Sequence, residues 1–187
     1  MRNSALKEFN AQHFNNLQVC LSSRGTESTA LAFRAAIELF PQLDKLFFDG
    51  DNGFNMCNRG QGLWQVLDKF PAAFSLVNMI YGRSASAFVL ARDGYIDSIT
   101  SSEGVQQGDV LSMWLYSLTI HPLVLKIQSI IDDSNSTGLN IWYADDGNIM
   151  LSFDIMCRVL QILISEGPTY GYFIKFEKCR YLATGKV

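Results

Sequence analysis

Several signatures of common protein classes are missing from this 187-residue sequence, and paired cysteines are among them. Its four cysteines, Cys20, Cys57, Cys157 and Cys179, form no C-x-x-C pair and no cluster with histidine. Disulfide frameworks and structural zinc sites depend on such spacings, so neither is predicted. Free thiols indicate a reducing, intracellular setting, which the nucleus and the cytoplasm both provide.

Long apolar runs are also scarce. The N-terminal segment 1–8 contains Arg2, Lys7 and Glu8, so it lacks the apolar stretch of a secretory signal. The most apolar long segment, 110–127, is interrupted by serine, threonine, histidine, proline and lysine. A membrane span needs about 20 mostly apolar residues, so this segment is predicted to be a buried helix, and no membrane partner is expected.

Basic residues are also fewer than acidic ones. The chain carries a formal net charge of −3, with 15 Lys and Arg against 18 Asp and Glu. Lysine and arginine supply most non-specific affinity for phosphates, so this balance argues against a free-standing nucleic-acid binder. The apolar content of 48% and the charged content of 18% are those of a globular chain, and the length suits one domain.

Three familiar catalytic signatures are missing too. The sequence has no P-loop, no glycine-rich dinucleotide turn and no Ser-His-Asp grouping, so ordinary hydrolases and dehydrogenases are not supported. His121 lies in an apolar segment without an acidic neighbour. It is therefore predicted to be a packed core histidine and not a ligand or a base.

Helical and extended patterns alternate along the chain. Apolar spacing and turn residues predict, in order, a helix at 26–40, a strand at 43–49, a helix at 61–70, a hairpin at 85–91 and 95–100, an apolar helix at 110–131, a hairpin at 140–143 and 148–153, a helix at 155–165 and a strand at 172–176. Thr26 or Ser28 is expected to cap the first helix, and Pro71 to close the second. This order predicts an α+β fold, an antiparallel sheet with helices packed on one face, close to the split βαβ plan.

Acidic residues lie at two of the predicted strand ends. Asp49 closes the first strand, and Asp145 and Asp146 lie in the predicted turn 144–147 of the second hairpin. Nucleotidyl transfer uses two divalent ions about 3.5–4 Å apart, and magnesium accepts carboxylate ligands. Taken singly, each aspartate is better explained as an ordinary turn residue. As a set, they indicate a possible metal centre.

Four sequence blocks in order carry a family resemblance. The segment 48–55 (FDGDNGFN) resembles the first catalytic strand and turn of reverse transcriptases, and 143–146 (YADD) resembles their catalytic hairpin. The segment 104–109 (GVQQGD) is similar to a block of the non-LTR-retrotransposon enzymes, and 171–179 resembles, more weakly, the segment that ends in lysine and cysteine. An ordered set of blocks is far more specific than any single motif.

The resemblance implies a right-hand polymerase palm at 45–187, a residual fingers region at 1–44 and no thumb. It implies RNA-directed DNA synthesis, in which deoxynucleotides are transferred to a primer 3′-OH. The implied partners are an RNA or DNA template with its primer, dNTP, and further domains of a longer mobile-element protein. Viral RNA-dependent RNA polymerases are similar but usually carry other residues where Ala144 and Phe54 stand, so RNA synthesis is disfavoured.

The same resemblance implies a metal role for four matching residues. Mg²⁺, or Mn²⁺ in its place, would be held directly by Asp49 and Asp145, with Asp146 as a further ligand or electrostatic support and the Gly50 carbonyl as an added ligand.

Further matching residues concern the nucleotide. Phe54 would be the aromatic gate that packs against the sugar and excludes a 2′-hydroxyl, although plain core packing would also explain it. Gln107 and Gly108 would line the incoming nucleotide, or simply form a loop before a helix. Lys178 would protonate the departing pyrophosphate, but Lys175 is close enough to take that role, and a surface lysine is an equal alternative.

Departures from the family pattern leave a second function class open. Val110 and Met113 stand where the family usually has proline, and Gly53 stands where it commonly has alanine. The first two changes alter the turn into the helix, and the missing fingers and thumb would normally supply positive charge. The alternative is a truncated or decayed palm without polymerase activity, which serves as an interaction module or has no function.

Overall fold

The computed structural model describes residues 4–90, 92, 94, 96–134 and 136–184. The helices in this part of the chain are α1 (Ser4–His13), α2 (Gly25–Leu39), α3 (Gly53–Met56), α4 (Arg59–Lys69), α5 (Pro71–Tyr81), α6 (Ser112–Asp133) and α7 (Phe153–Glu166). The strands are β1 (Asp44–Phe48), β2 (Ala85–Leu90), β3 (Ile96–Ser101), β4 (Leu139–Tyr143), β5 (Asp146–Leu151) and β6 (Arg180–Leu182). Two short 3₁₀ turns are formed by Gly167–Tyr170 and Phe176–Lys178.

Four of the strands form one sheet in the order β4-β5-β1-β6, and every neighbouring pair is antiparallel. Strands β1 and β4 therefore run in the same direction with β5 between them, and α6 lies in their connection. Strands β5 and β6 are related in the same way around β1, with α7 in their connection. The sheet consists of two interlocked split βαβ units, so the predicted plan and the α+β class are confirmed.

The sheet is covered on both faces. Leu46 and Phe48 of β1 belong to the main core with residues of α4, α6 and α7, whereas Phe47 packs with Phe33 of α2 on the opposite side. Successive side chains of a strand point to opposite faces, and β1 is apolar at three consecutive positions. Both faces therefore need cover, and the prediction of helices on one face alone is wrong.

Helix α6 forms the centre of the core. Leu115, Leu118 and Ile127 are fully buried, and His121 is 1% exposed, as predicted for a core histidine. No helix in the described part of the chain is long and apolar enough to cross a membrane. The buried helix predicted at 110–131 is confirmed with shifted bounds, as α6 (Ser112–Asp133), and Val110 lies outside it and is exposed.

Local boundaries differ from the predicted ones where backbone geometry overrides the pattern. Helix α4 ends at Lys69 and is followed by Phe70, and Pro71 is the first residue of α5, because its fixed φ suits a first helical turn. Helix α2 begins after Arg24, which is in the left-handed region at φ 59°, so neither Thr26 nor Ser28 is the cap.

The β2–β3 hairpin is confirmed at 85–90 and 96–101. Asp93 of the predicted turn, and Ala91 and Tyr95 at the predicted strand ends, lie outside the residues that the structure describes.

The predicted strand at 172–176 is not a strand. This segment runs past the end of β1, where the Lys175 amide donates to the Asp49 carbonyl at 2.9 Å and the Asp51 amide donates to the Phe173 carbonyl at 2.6 Å. The strand that pairs with the other edge of β1 is instead β6, in which Tyr181 lies opposite Leu46. Backbone hydrogen bonds therefore join the segment after β1 to the segment before β6.

Candidate functional site

The β4–β5 hairpin has a tighter turn than predicted. Tyr143 pairs with Asp146 and Trp142 pairs with Gly147, so the turn consists of Ala144 and Asp145 alone. Ala144 adopts φ 53°, a conformation that residues with a side chain rarely take and that is often found at functional sites. Asp145 therefore lies at the tip of the turn, whereas Asp146 is the first residue of β5.

Strand register brings two of the aspartates together. Phe48 of β1 lies opposite Gly147 of β5, so one further residue along each strand sets Asp49 opposite Asp146. The register depends on the glycine, because a Cβ at Gly147 would lie 2.2 Å from the Phe48 ring. Directly opposed residues in an antiparallel pair have Cβ atoms about 4.5–5.5 Å apart, close enough for their carboxylates to meet.

The electrostatics of Asp146 reflect this contact. Burial, followed by the negative charges of Asp145 and Asp49, raises the pKa of the Asp146 carboxyl, and a hydrogen bond to Asp49 adds to the rise. Like charges held this close favour protonation unless a cation joins them.

Asp145 packs into the turn that follows β1. A side chain at Gly50 or Gly53 would crowd Asp145, because an added Cβ would lie 3.3 Å or 3.0 Å, respectively, from the Asp145 Cβ. The two glycines therefore leave room for the Asp145 side chain. The buried Tyr172 hydroxyl donates to the Asp145 carbonyl at 3.1 Å. Burial raises the pKa of the Asp145 carboxyl, and the Asp49 charge raises it further.

Two lysines make ion pairs with two aspartates of the β1 turn. The Lys178 ammonium lies 2.5 Å from Oδ2 of Asp49, and the Lys175 ammonium lies 2.6 Å from Oδ1 of Asp51. The hydrogen bond to Asp49 raises the pKa of Lys178. The structure therefore separates the two candidates, because Lys178 contacts the aspartate of the candidate metal site and Lys175 contacts its neighbour.

The three predicted nucleotide residues line one cavity. Phe54, Gln107 and Gly108 surround a space of about 460 Å³ together with Asp145 and with Asp109, Ser112 and Met113. Gly108 has φ 89°, and an added Cβ would meet no atom within 4 Å, so backbone conformation accounts for the glycine. This cavity lies on the Asp145 side of the site.

The loop that carries Gln107 is held by residues that the sequence patterns did not indicate. The Tyr81 hydroxyl donates to Oδ2 of Asp109 at 2.7 Å, and the Leu111 amide donates to Oδ1 of Asp109 at 2.8 Å. Arg59 donates to the carbonyls of Gly104, with Nε at 2.5 Å, and Ser101, with Nη1 at 3.0 Å. These bonds tie the loop to α4 and α5, and no spacing in the sequence could have indicated such long-range contacts.

A second, larger cavity of about 740 Å³ lies between α2 and the sheet. Its apolar walls include Phe33, Ile37 and Phe47, and Asp49 and Asp146 also line it. The aspartates therefore stand between the groove on the α2 side and the nucleotide-sized cavity on the Asp145 side.

The donor set is compatible with magnesium, although the described residues form no preformed metal cage. Among the described residues, no group of three or more His, Cys, Asp and Glu side chains is arranged to hold a metal ion. Mg²⁺ in phosphoryl-transfer sites is usually bound by one or two carboxylates, with waters and substrate phosphates as its other ligands. Asp49 and Asp146, which lie opposite each other across β1 and β5, with Asp145 at the adjoining turn, are carboxylates of that kind.

Gly171 and Tyr172 complete the site from the weakest of the four sequence blocks. Gly171 has φ 75°, and a Cβ there would lie 1.9 Å from the Met56 carbonyl oxygen, so only glycine fits. Tyr172 packs edge-on against Trp142 of β4 with ring centroids 5.4 Å apart. The glycine was part of the quoted motif, whereas the contact of Tyr172 with the β4–β5 turn depends on the tertiary fold.

Comparison of the sequence with known proteins finds no matching family profile and no matching curated protein. Comparison of the structure finds telomerases. The apo telomerase of Candida tropicalis truncated from its C-terminal domain superposes with a TM-score of 0.77 at 18% identity, covering 100% of this chain and 40% of that one. Telomerase from Candida albicans, in complex with a fragment of telomeric RNA, gives a TM-score of 0.76 at 14% identity, covering 95% of this chain and 34% of that one.

These likenesses concern the fold, and they span only part of the larger proteins. A further Candida tropicalis telomerase, also in complex with a telomeric RNA fragment, gives a TM-score of 0.74 at 16% identity over 97% of this chain and 33% of that one. The chain thus corresponds to about a third to two fifths of each telomerase chain. Its fold is the reverse-transcriptase-like fold of telomerase.

Proposed function

We propose that this chain is the catalytic palm of an RNA-directed DNA polymerase, a reverse transcriptase of the non-LTR-retrotransposon type. The observation that carries the proposal is the meeting of Asp49 and Asp146 across the β1–β5 pair, with Asp145 at the adjoining turn. The carboxyls of Asp145 and Asp146, whose pKa values are raised by burial and by nearby negative charge, belong to a site that a divalent cation would stabilise.

In the proposed reaction the primer 3′-hydroxyl attacks the α-phosphorus of a dNTP. A new P–O bond forms, the bond to the β-phosphate breaks, and pyrophosphate leaves. Asp49, Asp145 and Asp146, with the Gly50 carbonyl, would hold Mg²⁺ or Mn²⁺, which when bound activates the attacking oxygen and stabilises the leaving one. Tyr172 keeps the turn in place through its hydrogen bond to the Asp145 carbonyl.

The dNTP would occupy the cavity beside Asp145. Its volume of about 460 Å³ is within the range of small-molecule sites, and Phe54, Gln107 and Gly108 line it. The half-buried Phe54 ring would pack against the deoxyribose and leave no space for a 2′-hydroxyl. Gln107 and Gly108, which line the same cavity, would also contact the nucleotide.

Lys178 would act as the proton donor to pyrophosphate. Its ammonium group already lies 2.5 Å from Asp49, so a short movement would bring it to a leaving group held at the same centre. A positioned general acid typically contributes about 10²–10⁴-fold to the rate. Lys175 is engaged by Asp51 and is the weaker candidate.

The proposed partners are a template and its primer. The Candida albicans telomerase structure contains a fragment of telomeric RNA, and this chain has the same fold. The chain has a net charge of −3, and nucleic-acid affinity depends on Lys and Arg. We therefore expect further domains of a longer mobile-element protein to contribute to the grip on template and primer.

Primer extension on an RNA template with Mg²⁺ and dNTPs tests the proposal. Asp145→Asn should lower extension by about 100-fold or more, the scale expected for loss of a group that stabilises transition-state charge. Asp154→Asn is the matched control, because this substitution makes the same chemical change at an exposed position of α7. Equal extension by the unaltered chain and Asp145→Asn would reject catalysis at this site, as would no extension by any of the three.

A palm without turnover is the second candidate function, and the acidic net charge favours it. Mn²⁺ binding followed by electron paramagnetic resonance separates the two, because it needs neither template nor primer. A catalytic palm should bind Mn²⁺ and lose most of that binding in Asp145→Asn. The same low binding in both proteins would favour a decayed palm that serves as an interaction module or has no function.

A further inference from the structure

The Phe54 ring is held from behind by Tyr116. The two rings are stacked with centroids 4.9 Å apart and an interplanar angle of 14°. Tyr116 lies on α6 and is fully buried, whereas Phe54 is half-buried and lines the nucleotide-sized cavity. Any retreat of Phe54 from the cavity would therefore require Tyr116 to move within the core.

The Tyr116 hydroxyl fills the space beside Gly53. A Cβ at Gly53 would lie 2.7 Å from that hydroxyl oxygen, 3.2 Å from Cζ of Tyr116 and 3.0 Å from Cβ of Asp145. Real Cβ atoms are not found at 2.7 Å from another heavy atom, so residue 53 has no room for a side chain while Tyr116 keeps its place. This contact explains glycine at a position where the family commonly has alanine.

The same hydroxyl has no hydrogen-bond partner among the described residues, although it is fully buried. Leaving a buried hydroxyl unpaired costs stability, so such a group calls for an explanation other than folding. The hydroxyl belongs to the residue behind the gate and lies against the turn that precedes it. Because of these two contacts, we expect the hydroxyl to affect the shape of the nucleotide-sized cavity.

We propose that Tyr116 is a specificity-determining residue that sets the depth of the Phe54 gate, with its ring as the support and its hydroxyl as a spacer beside Gly53. The inference rests on the proposed polymerase function. Tyr116 would thereby affect how the site rejects the 2′-hydroxyl of an incoming nucleoside triphosphate. Tyr116 acts through Phe54, so it is a positioning residue and does not itself contact the sugar.

Thermal unfolding of four proteins tests the contact without any need for activity. Gly53→Ala alone should lower Tm, because the new methyl group clashes with the Tyr116 hydroxyl. Tyr116→Phe alone should leave Tm unchanged or raise it, because it removes an unpaired buried hydroxyl. The double variant should recover part of the loss. Equal effects of Gly53→Ala with and without Tyr116→Phe, or a lower Tm in Tyr116→Phe, would overturn the spacer role.

Selectivity is tested by the ratio of kcat/KM for dNTP and rNTP in primer extension. Tyr116→Leu removes the stack, and aromatic stacks are worth about 0.5–1.5 kcal/mol, so the ratio should fall by about 2- to 10-fold. Phe70→Leu is the matched control, because it removes a comparable ring contact, that of Phe70 with Phe9, whose ring centroids lie 4.8 Å apart. Phe70 does not line the cavity. This variant should lower Tm and leave the ratio unchanged.

The outcomes separate this inference from the proposed function. No dNTP incorporation by the unaltered chain rejects the polymerase proposal, and the selectivity role is rejected with it. Incorporation with the same dNTP preference in Tyr116→Leu rejects the Tyr116 role alone. A preference that falls equally in Tyr116→Leu and Phe70→Leu reflects general loosening of the core and also rejects it.

Discussion

Acidification should destabilise the protein through the buried His121, which packs against the half-buried His13. The rings of His121 and His13 lie 4.8 Å apart, and Nε2 of His121 lies 3.0 Å from the His13 carbonyl, to which it donates. Nδ1 of His121 is buried without a partner among the described residues. A proton added at Nδ1 would therefore place a positive charge in the core. Burial, followed by the charge of His13, lowers the pKa of His121 to about 4.

The size and direction of the effect follow from that pKa. The ordinary value is 6.5, so the folded state favours neutral His121 while the unfolded state accepts a proton between pH 6.5 and about 4. The stabilisation is therefore complete above pH 6.5 and is lost as the pH falls toward 4. One pKa unit corresponds to about 1.4 kcal/mol, so the loss is about 3 kcal/mol. Domains of this kind have about 5–15 kcal/mol in total, which makes the loss easy to measure.

Urea unfolding at constant ionic strength, at about pH 7 and about pH 4, measures this loss. His121→Gln is the control, because glutamine retains an N–H donor and has no charge at either pH. Burial also lowers the pKa of His13, which adds to the loss in both proteins. Asp44, whose pKa is lowered by its hydrogen bond from Tyr181, contributes in both proteins and cancels in the comparison. Equal losses in the unaltered chain and His121→Gln would refute the assignment to His121.

Three further changes test the site and the core. Phe54→Val should raise ribonucleotide incorporation relative to deoxynucleotide, because a smaller side chain admits the 2′-hydroxyl; an unchanged kcat/KM ratio would contradict the gate. Lys178→Ala should lower kcat by about 100-fold and Lys175→Ala much less, and equal losses would disprove a specific role. Burial raises the pKa of Cys57 to about 11, so a maleimide should label the half-buried Cys157 first, and simultaneous labelling would be inconsistent with this packing.

Local chemistry accounts for the elements that the sequence patterns predicted. The α6 segment has apolar residues on nearly all sides, and a helix of that kind is stable only when buried. Both hairpins combine extended, apolar flanks with a short turn, so they form from neighbouring residues. Such features depend on contacts within about ten residues, which a single sequence records directly.

The errors concern contacts between distant segments. Strand β6 pairs with β1 across more than 130 positions of chain, and its three residues carry no pattern that distinguishes them from 172–176. Helix α2 covers the second face of the sheet because Phe47 of β1 is apolar, but the period of α2 alone does not indicate which face it meets. Pairing over such distances depends on the whole core.

The acidic groups available for chemistry, and their places near strand ends, can be recognised from local sequence. Asp49 follows an apolar run, and Asp145 and Asp146 interrupt another, because charged residues are placed where a strand leaves the core. Which of these groups lie close together depends on the folded chain. The Phe48–Gly147 register sets Asp49 opposite Asp146, and the lack of a side chain at Gly53 leaves room for Tyr116 behind Phe54. Register and close packing arise between segments about 60 to 100 residues apart, so no local pattern contains them.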